Sequence, residues 1–324
     1  MRDDMNKKII ELAKANGADI VGFAPADRFD KECAIFQIMP KTKTVIGLAF
    51  RVLRGAYRGI EEGSTFYQYT TMGVENMEET IMPMAQLRVS MLLEQEGYLV
   101  IPQKRHQQIM AEENSTNPEV AYRNIFRGKT AEVQMDFEEA AVKCGLGEMG
   151  VHHTLLTDEF GPMVRYCFVL TDAELTATQL VEPHLCDRCG ACVKACPGKA
   201  IAEDGTVDPW QCGTYYMGAN GTRNPYMPPD AFGEFEDRIA IIAGEAKVTP
   251  ETAKAIMDEI CFYPDACHGY ISCICGKACD VACYIHLEEK GVLTRKFKTP
   301  FRKREPWKLS IEDYMNYKGD SEHL

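Results

Sequence analysis

The chain has 324 residues, a formal net charge of −12 and 45% apolar content. The apolar share is enough to bury the core of one large domain or two, and the acidic balance excludes a protein that coats nucleic acid through charge alone. No apolar run reaches the roughly 20 residues of a bilayer span, and the opening MRDDMNKKII lacks the apolar core and cleavage site of a signal peptide, so a cytoplasmic protein with no membrane partner is expected.

The first predicted element is a helix that groups Ile9, Ile10, Leu12 and Ala13 and stops at Gly17. Strands are predicted from Asp19 (DIVGFAPA) and over 43–52 (KTVIGLAFRV), followed by a glycine- and tyrosine-rich loop, RGAYRGIEEGSTFYQYTTMG, of the kind that carries function. A helical pattern over 75–96 is interrupted at Pro83, and GYLVIPQ over 97–103 returns as a strand. DFEEAAVKC over 136–144 reads as a short amphipathic helix ended by Gly145, and MVRYCFVLTD over 163–172 as a buried strand. This mixture makes residues 1–178 an α/β unit within a chain of α+β class.

In an intracellular chain, 14 cysteines point to metal or redox chemistry rather than disulfides. Cys186, Cys189, Cys192 and Cys196 with Pro197 follow C-x2-C-x2-C-x3-C-P, in which three thiolates bind one [4Fe-4S] cube and the fourth binds a neighbour. A zinc site would need two separated pairs. Two clusters are therefore expected, and SCICGKACDVACY supplies Cys273, Cys275, Cys279 and Cys283 for them; in a helix the last three share a face. By the reciprocal pattern Cys283 returns to Cys186, Cys189 and Cys192. That leaves Cys196, Cys275 and Cys279 short of one thiolate, for which Cys212 in DPWQCGTYY is the choice and Cys273 the rival. Cys33, Cys144 and Cys167 sit in apolar surroundings that suit core residues, whereas Cys261 and Cys267 either line an electron route or are inert.

The ferredoxin-like domain is expected over 179–289, with an insertion at about 213–272 that includes a helix capped by Thr249 with Pro250 at its first position. A basic tail, 290–324, follows.

GLGEMGVHHTLLTDEFGPMVR over 145–165, ELAKANGADIVGFAPA near the start and WQCGTYY after the first cysteine run resemble the epoxyqueuosine reductases and the cobalamin-dependent reductive dehalogenases. The resemblance implies a nitroreductase-like α/β core around a base-off cobalamin, followed by the two [4Fe-4S] clusters. It implies electrons from a low-potential donor, ferredoxin or flavodoxin, and reductive cleavage of a tRNA-borne or small-molecule (organohalide) substrate. Cubes span roughly −700 to +450 mV, and the low end is what a corrinoid needs to reach Co(I). Carried onto this chain, the resemblance places Gly145, Gly147 and Gly150 where backbone approaches the corrin, His152 and Thr154 beside it, and Phe160, Gly161 and Arg165 in its wall. Tyr67, Tyr69 and Asp136 are the candidate proton donors; Asp136 equally suits a helix N-terminus.

The chain departs from the family pattern in two places. Cys275, Cys279 and Cys283 are spaced C-x3-C-x3-C before Tyr284 instead of C-x2-C-x3-C-P, and Val151 and His152 stand where lysine and asparagine are usual. A second reading, from a different class, is an electron-transfer protein that reduces the corrinoid or flavin of a partner and binds no cobalamin itself.

Overall fold

The computed structural model describes residues 2–65, 68–105, 133–228, 230–260, 273–302, 305–308 and 310–312. Helix α1 (Arg2–Ala15), with Asp3 and Asp4 in its first turn where the helix dipole favours them, buries Ile9 and Ala13. It leads into β1 (Ile20–Pro25), a short α2 (Ala34–Ile38) and β2 (Thr44–Arg51). Next come α3 (Arg54–Glu61), wide π-helical turns at Tyr69–Glu75 and Met77–Ile81, α4 (Met82–Gln95) and β3 (Val100–Gln103). After α5 (Phe137–Lys143), the two-residue strands β4 (Glu148–Met149) and β5 (Leu155–Leu156) precede β6 (Val164–Thr171).

Strands β1, β2, β6 and β3 form an antiparallel sheet in that order. In β2 every residue but Arg51 is buried, because helices cover both faces. Ile46, Leu48 and Phe50 point toward α1 and α4, while the alternate Val45 and Ala49 point toward α2 and α5. Gly22 and Gly47 are cross-strand partners, and a Cβ at Gly22 would stand 2.1 Å from the Cys144 carbonyl oxygen. The turn after α5 therefore rests directly on the sheet.

The stretch expected as a polar loop is helical instead. Ala56, Tyr57 and Ile60 in α3, with Tyr69 and Val74 in the π turns, are buried against the C-terminal half, and this long-range burial is what orders it. Pro83 does not interrupt a helix; it lies in the first turn of α4, where a missing N–H costs nothing.

The second half contains α6 (Ala191–Ala195), α7 (Pro209–Met217), α8 (Arg238–Ala243), α9 (Pro250–Glu259) and α10 (Ala278–Lys290). Thr249 caps α9, accepting from Thr252 N. Helices α7, α8 and α9 share a small core of Tyr215, Ile241, Ile242, Ala253 and Ile256. Val281, Tyr284 and Leu287 of α10 instead pack with Val52, Tyr57, Ile60 and Tyr69, joining the two halves. Among the described residues no helix is long and apolar enough to cross a membrane.

Candidate functional site

The cysteines gather in two places. Cys283, on α10, has its thiol pushed well up by burial, then by Asp280 and by the neighbouring Cys192, Cys186 and Cys189. Desolvation of its sulfur, with Cys275 and Cys196 close by, pushes Cys212 up to about 11, and Cys279 is raised by burial, Asp280, Cys275 and Cys212. Sets of four clustered thiols suit iron-sulfur cubes. Both groups fit a [4Fe-4S] cluster.

Helix α10 begins at Ala278, after Lys277 in a left-handed conformation (φ 51°). Only Cys279 and Cys283 therefore share its face; Cys275 comes from the turn before. Cys273 is fully buried, 3.8 Å from the Cys275 sulfur, and its amide donates to Thr70 Oγ1. Its other neighbours are Tyr216 and Tyr69 rather than Cys196 or Cys212. Cys144 and Cys167 are core thiols raised by burial, and Cys33 packs at the edge of the same core as Cys144. Cys261 and Cys267 lie outside the described residues.

A carboxylate in the glycine loop shapes the approach to the first group. Glu148 is buried and accepts from the backbone N–H of His184, Leu185 (2.9 Å) and Cys186 (2.7 Å). Sequence reading passed over it, though a lone acid among Leu146, Gly147 and Met149 was a signal.

Asp280 lies between the two thiol groups. Its carboxylate accepts from Thr154 Oγ1 at 3.1 Å and stands 3.3 Å from His152 Nε2 and 3.6 Å from Lys277 Nζ. Burial opposes its charge, yet Lys277 and His152 hold it down at about 2. His152 is pulled down by burial and raised to about 9 by its neighbours Asp280 and Cys192.

On the far side of Asp280 is a cavity of about 120 Å³ lined by Tyr57, Tyr69, Glu78, Arg105, Glu138, Thr154, Arg165, Tyr166 and Lys277. Arg165 donates to Tyr69 Oη at 2.9 Å and pairs with Glu78 at 3.2 Å. Tyr166 Oη and Arg105 both donate to Glu138. Burial pushes Tyr69 up to about 12 against Arg165 and Lys277, which lower it, so its phenol keeps its proton at neutral pH. Two of the π turns' residues, Tyr69 and Glu78, thus converge on Arg165.

The expected corrin wall is dispersed. Thr154 and Arg165 line the polar cavity, but a Cβ at Gly145 would meet the Gln179 carbonyl oxygen at 2.4 Å and one at Gly147 the Leu156 carbonyl oxygen at 2.1 Å. At these glycines the chain's own backbone makes the close approach. Gly150 packs on the His152 ring, Gly161 on Leu287 and Tyr284, and Phe160 lies between the guanidiniums of Arg51 and Arg295. Among the described residues, the cavity of about 120 Å³ that Thr154 and Arg165 share is too small for a corrin ring. Asp136 is likewise no partner of Tyr69: it caps α5, accepting from Glu139 N at 2.8 Å. Tyr67 lies outside the described residues. Lys277 and Asp280 sit inside the cysteine pattern, where the ligand spacing hides them in sequence.

Residues 180–202 match the family described as 4Fe-4S binding domain. Over 97 residues the chain is 35% identical to an epoxyqueuosine reductase of Cellulophaga algicola, a match that covers 30% of each chain. Over these residues the chain is similar to the epoxyqueuosine reductases. It is also 39% identical over 67 residues to a tetrachloroethene reductive dehalogenase of Desulfitobacterium hafniense, covering 20% of this chain and 12% of that one. These relatives are oxidoreductases, and the matches span less than a third of their length. A solved epoxyqueuosine reductase with an epoxyqueuosine-modified tRNA stem loop superposes with a TM-score of 0.45 at 15% identity, over 75% of this chain and 62% of that one.

Proposed function

We propose that the chain is an iron-sulfur oxidoreductase in which two [4Fe-4S] clusters carry electrons to the polar cavity at Tyr69 and Lys277. This reading is supported by the neighbours of the thiols: Cys186, Cys189 and Cys192 act on Cys283, while Cys196 and Cys275 act on Cys212 and Cys275 and Cys212 on Cys279. Cysteines of these two sets are the ligands, and residues 179–289 form the unit that delivers current to residues 1–178.

When bound, the clusters supply single low-potential electrons. The chain supplies the rest. Asp280 fixes His152 and Lys277 in their charged forms, and Arg165 orients the Tyr69 phenol. Reductive cleavage of a C–O or C–halogen bond consumes two electrons and one proton and releases the leaving group as an anion. Tyr69 and Lys277 are the proton sources, and Arg165 and Arg105 receive the anion. The relatives' names make tRNA-borne epoxyqueuosine the first substrate to assay, with organohalides as the second panel and a ferredoxin or flavodoxin as donor.

Among the described residues no corrin-sized space surrounds Thr154 and Arg165, and this favours a second reading, in which the chain reduces a partner's corrinoid or flavin and holds none. One experiment separates the two. Anaerobically reconstituted protein is mixed with hydroxocobalamin, desalted and assayed for iron and corrinoid absorbance. About eight irons with retained corrinoid supports a cobalamin-loaded enzyme, and about eight irons alone supports the carrier or a corrinoid-free reductase. About four irons removes the two-cluster relay altogether.

A further inference from the structure

Arg223 is a half-buried cation that has neither a hydrogen bond nor an ion pair from its guanidinium among the described residues. It lines a pocket of about 530 Å³ whose wall includes Cys275, Gly276 and Ala278. The acid nearest in electrostatic effect, Glu61, is already paired to Arg302 at 2.5 Å. Taking a guanidinium partly out of water without a partner is costly, and the neighbour that acts on it most strongly is the Cys275 sulfur.

The loop that carries Arg223 is tied to the same group of thiols. Asn220 Nδ2 donates to the carbonyl of Pro197, which follows Cys196, and Asn220 Oδ1 accepts from Thr222 N. Asn224 Nδ2 donates to the carbonyl of Gly218, which ends the helix bearing Cys212. The turn is thus anchored on both sides of Arg223 to segments that present Cys196 and Cys212.

We propose that Arg223 is the charge partner of the cluster held by Cys196, Cys212, Cys275 and Cys279, and that it raises the potential of this cluster. This rests on the two-cluster reading. A cube with four thiolates carries net negative charge, and one more on reduction, so a fixed cation stabilises the reduced state.

The test is an EPR-monitored redox titration of reconstituted wild-type, Arg223→Gln, Arg223→Lys and Lys194→Gln proteins, each with its iron content. Arg223→Gln is expected to keep about eight irons and to shift one midpoint downward while the other stays in place. Arg223→Lys keeps the wild-type midpoint, and Lys194→Gln, an exposed charge on the pocket rim, shifts it far less. Unchanged midpoints in Arg223→Gln, or an equal shift in Lys194→Gln, overturn the assignment. If Arg223→Gln loses iron, retention of iron and potential by Arg223→Lys sustains it and loss in both overturns it. A wild-type protein with a single cluster sinks the two-cluster reading instead.

Discussion

His152 and Asp280 face each other 3.3 Å apart with side chains almost closed to solvent, one from the turn after the glycine loop and the other from the first turn of α10. Lys277 stands on the same carboxylate. Asp280→Ala leaves the buried His152 and the half-buried Lys277 without their anion, which costs about 3–5 kcal/mol. The midpoint of anaerobic denaturant unfolding should fall accordingly; a variant as stable as wild type would mean that solvent reaches this carboxylate.

Glu148 predicts a local failure. It receives the amides of His184, Leu185 and Cys186, and hydrogen bonds to a charged group contribute about 1.5–3 kcal/mol each. Glu148→Ala should release the segment that presents Cys186 and halve the iron content, with the EPR signal of the other cluster intact. Full iron would show that the cysteine run holds its shape unaided.

The iron count also decides between two cysteines. Cys212→Ala should retain about four of eight irons, whereas Cys273→Ala should retain all of them, because Cys273 faces Tyr216 and Tyr69. The opposite result would exchange their roles.

Cys144 and Cys167 have thiols raised by burial, with no accessible surface. Neither should react with iodoacetamide at pH 8 in the native protein, and both should react after denaturation. Mass spectrometry of labelled peptides reads this directly. Native labelling of either would place it outside the core.

Gly147→Ala tests the glycine loop apart from any cofactor. Its Cβ would stand 2.1 Å from the Leu156 carbonyl oxygen, so β4 and β5 must separate, at a cost of about 1–3 kcal/mol or more. Thermal unfolding of protein prepared without corrinoid should show the loss. An unaffected melting temperature would mean that the loop yields freely.

Strands β2 and β6 were legible because both are continuous apolar runs, and they pair from Thr44 opposite Thr171 to Arg51 opposite Val164. The cysteine run was legible because cluster ligation fixes ligand spacing within one short segment. The π turns were not: Tyr69 and Val74 owe their burial to α10, far along the chain. The glycine loop misled for a different reason. A glycine that admits a ligand and one that admits its own backbone look the same in sequence, and only the Leu156 and Gln179 carbonyls tell Gly147 and Gly145 apart from a cofactor cradle. Asp280 was hidden because its partners, His152 and Thr154, are remote in sequence.

Helix α10 gives Cys279 to one proposed cluster and Cys283 to the other while burying Val281, Tyr284 and Leu287 against the first half of the chain. Iron loading and cohesion of the two halves are consequently one linked equilibrium. Oxidative loss of iron should loosen α3 and the π turns as well as the cysteine loops, so that protease sensitivity in the N-terminal half becomes a gauge of how intact the metal centres are.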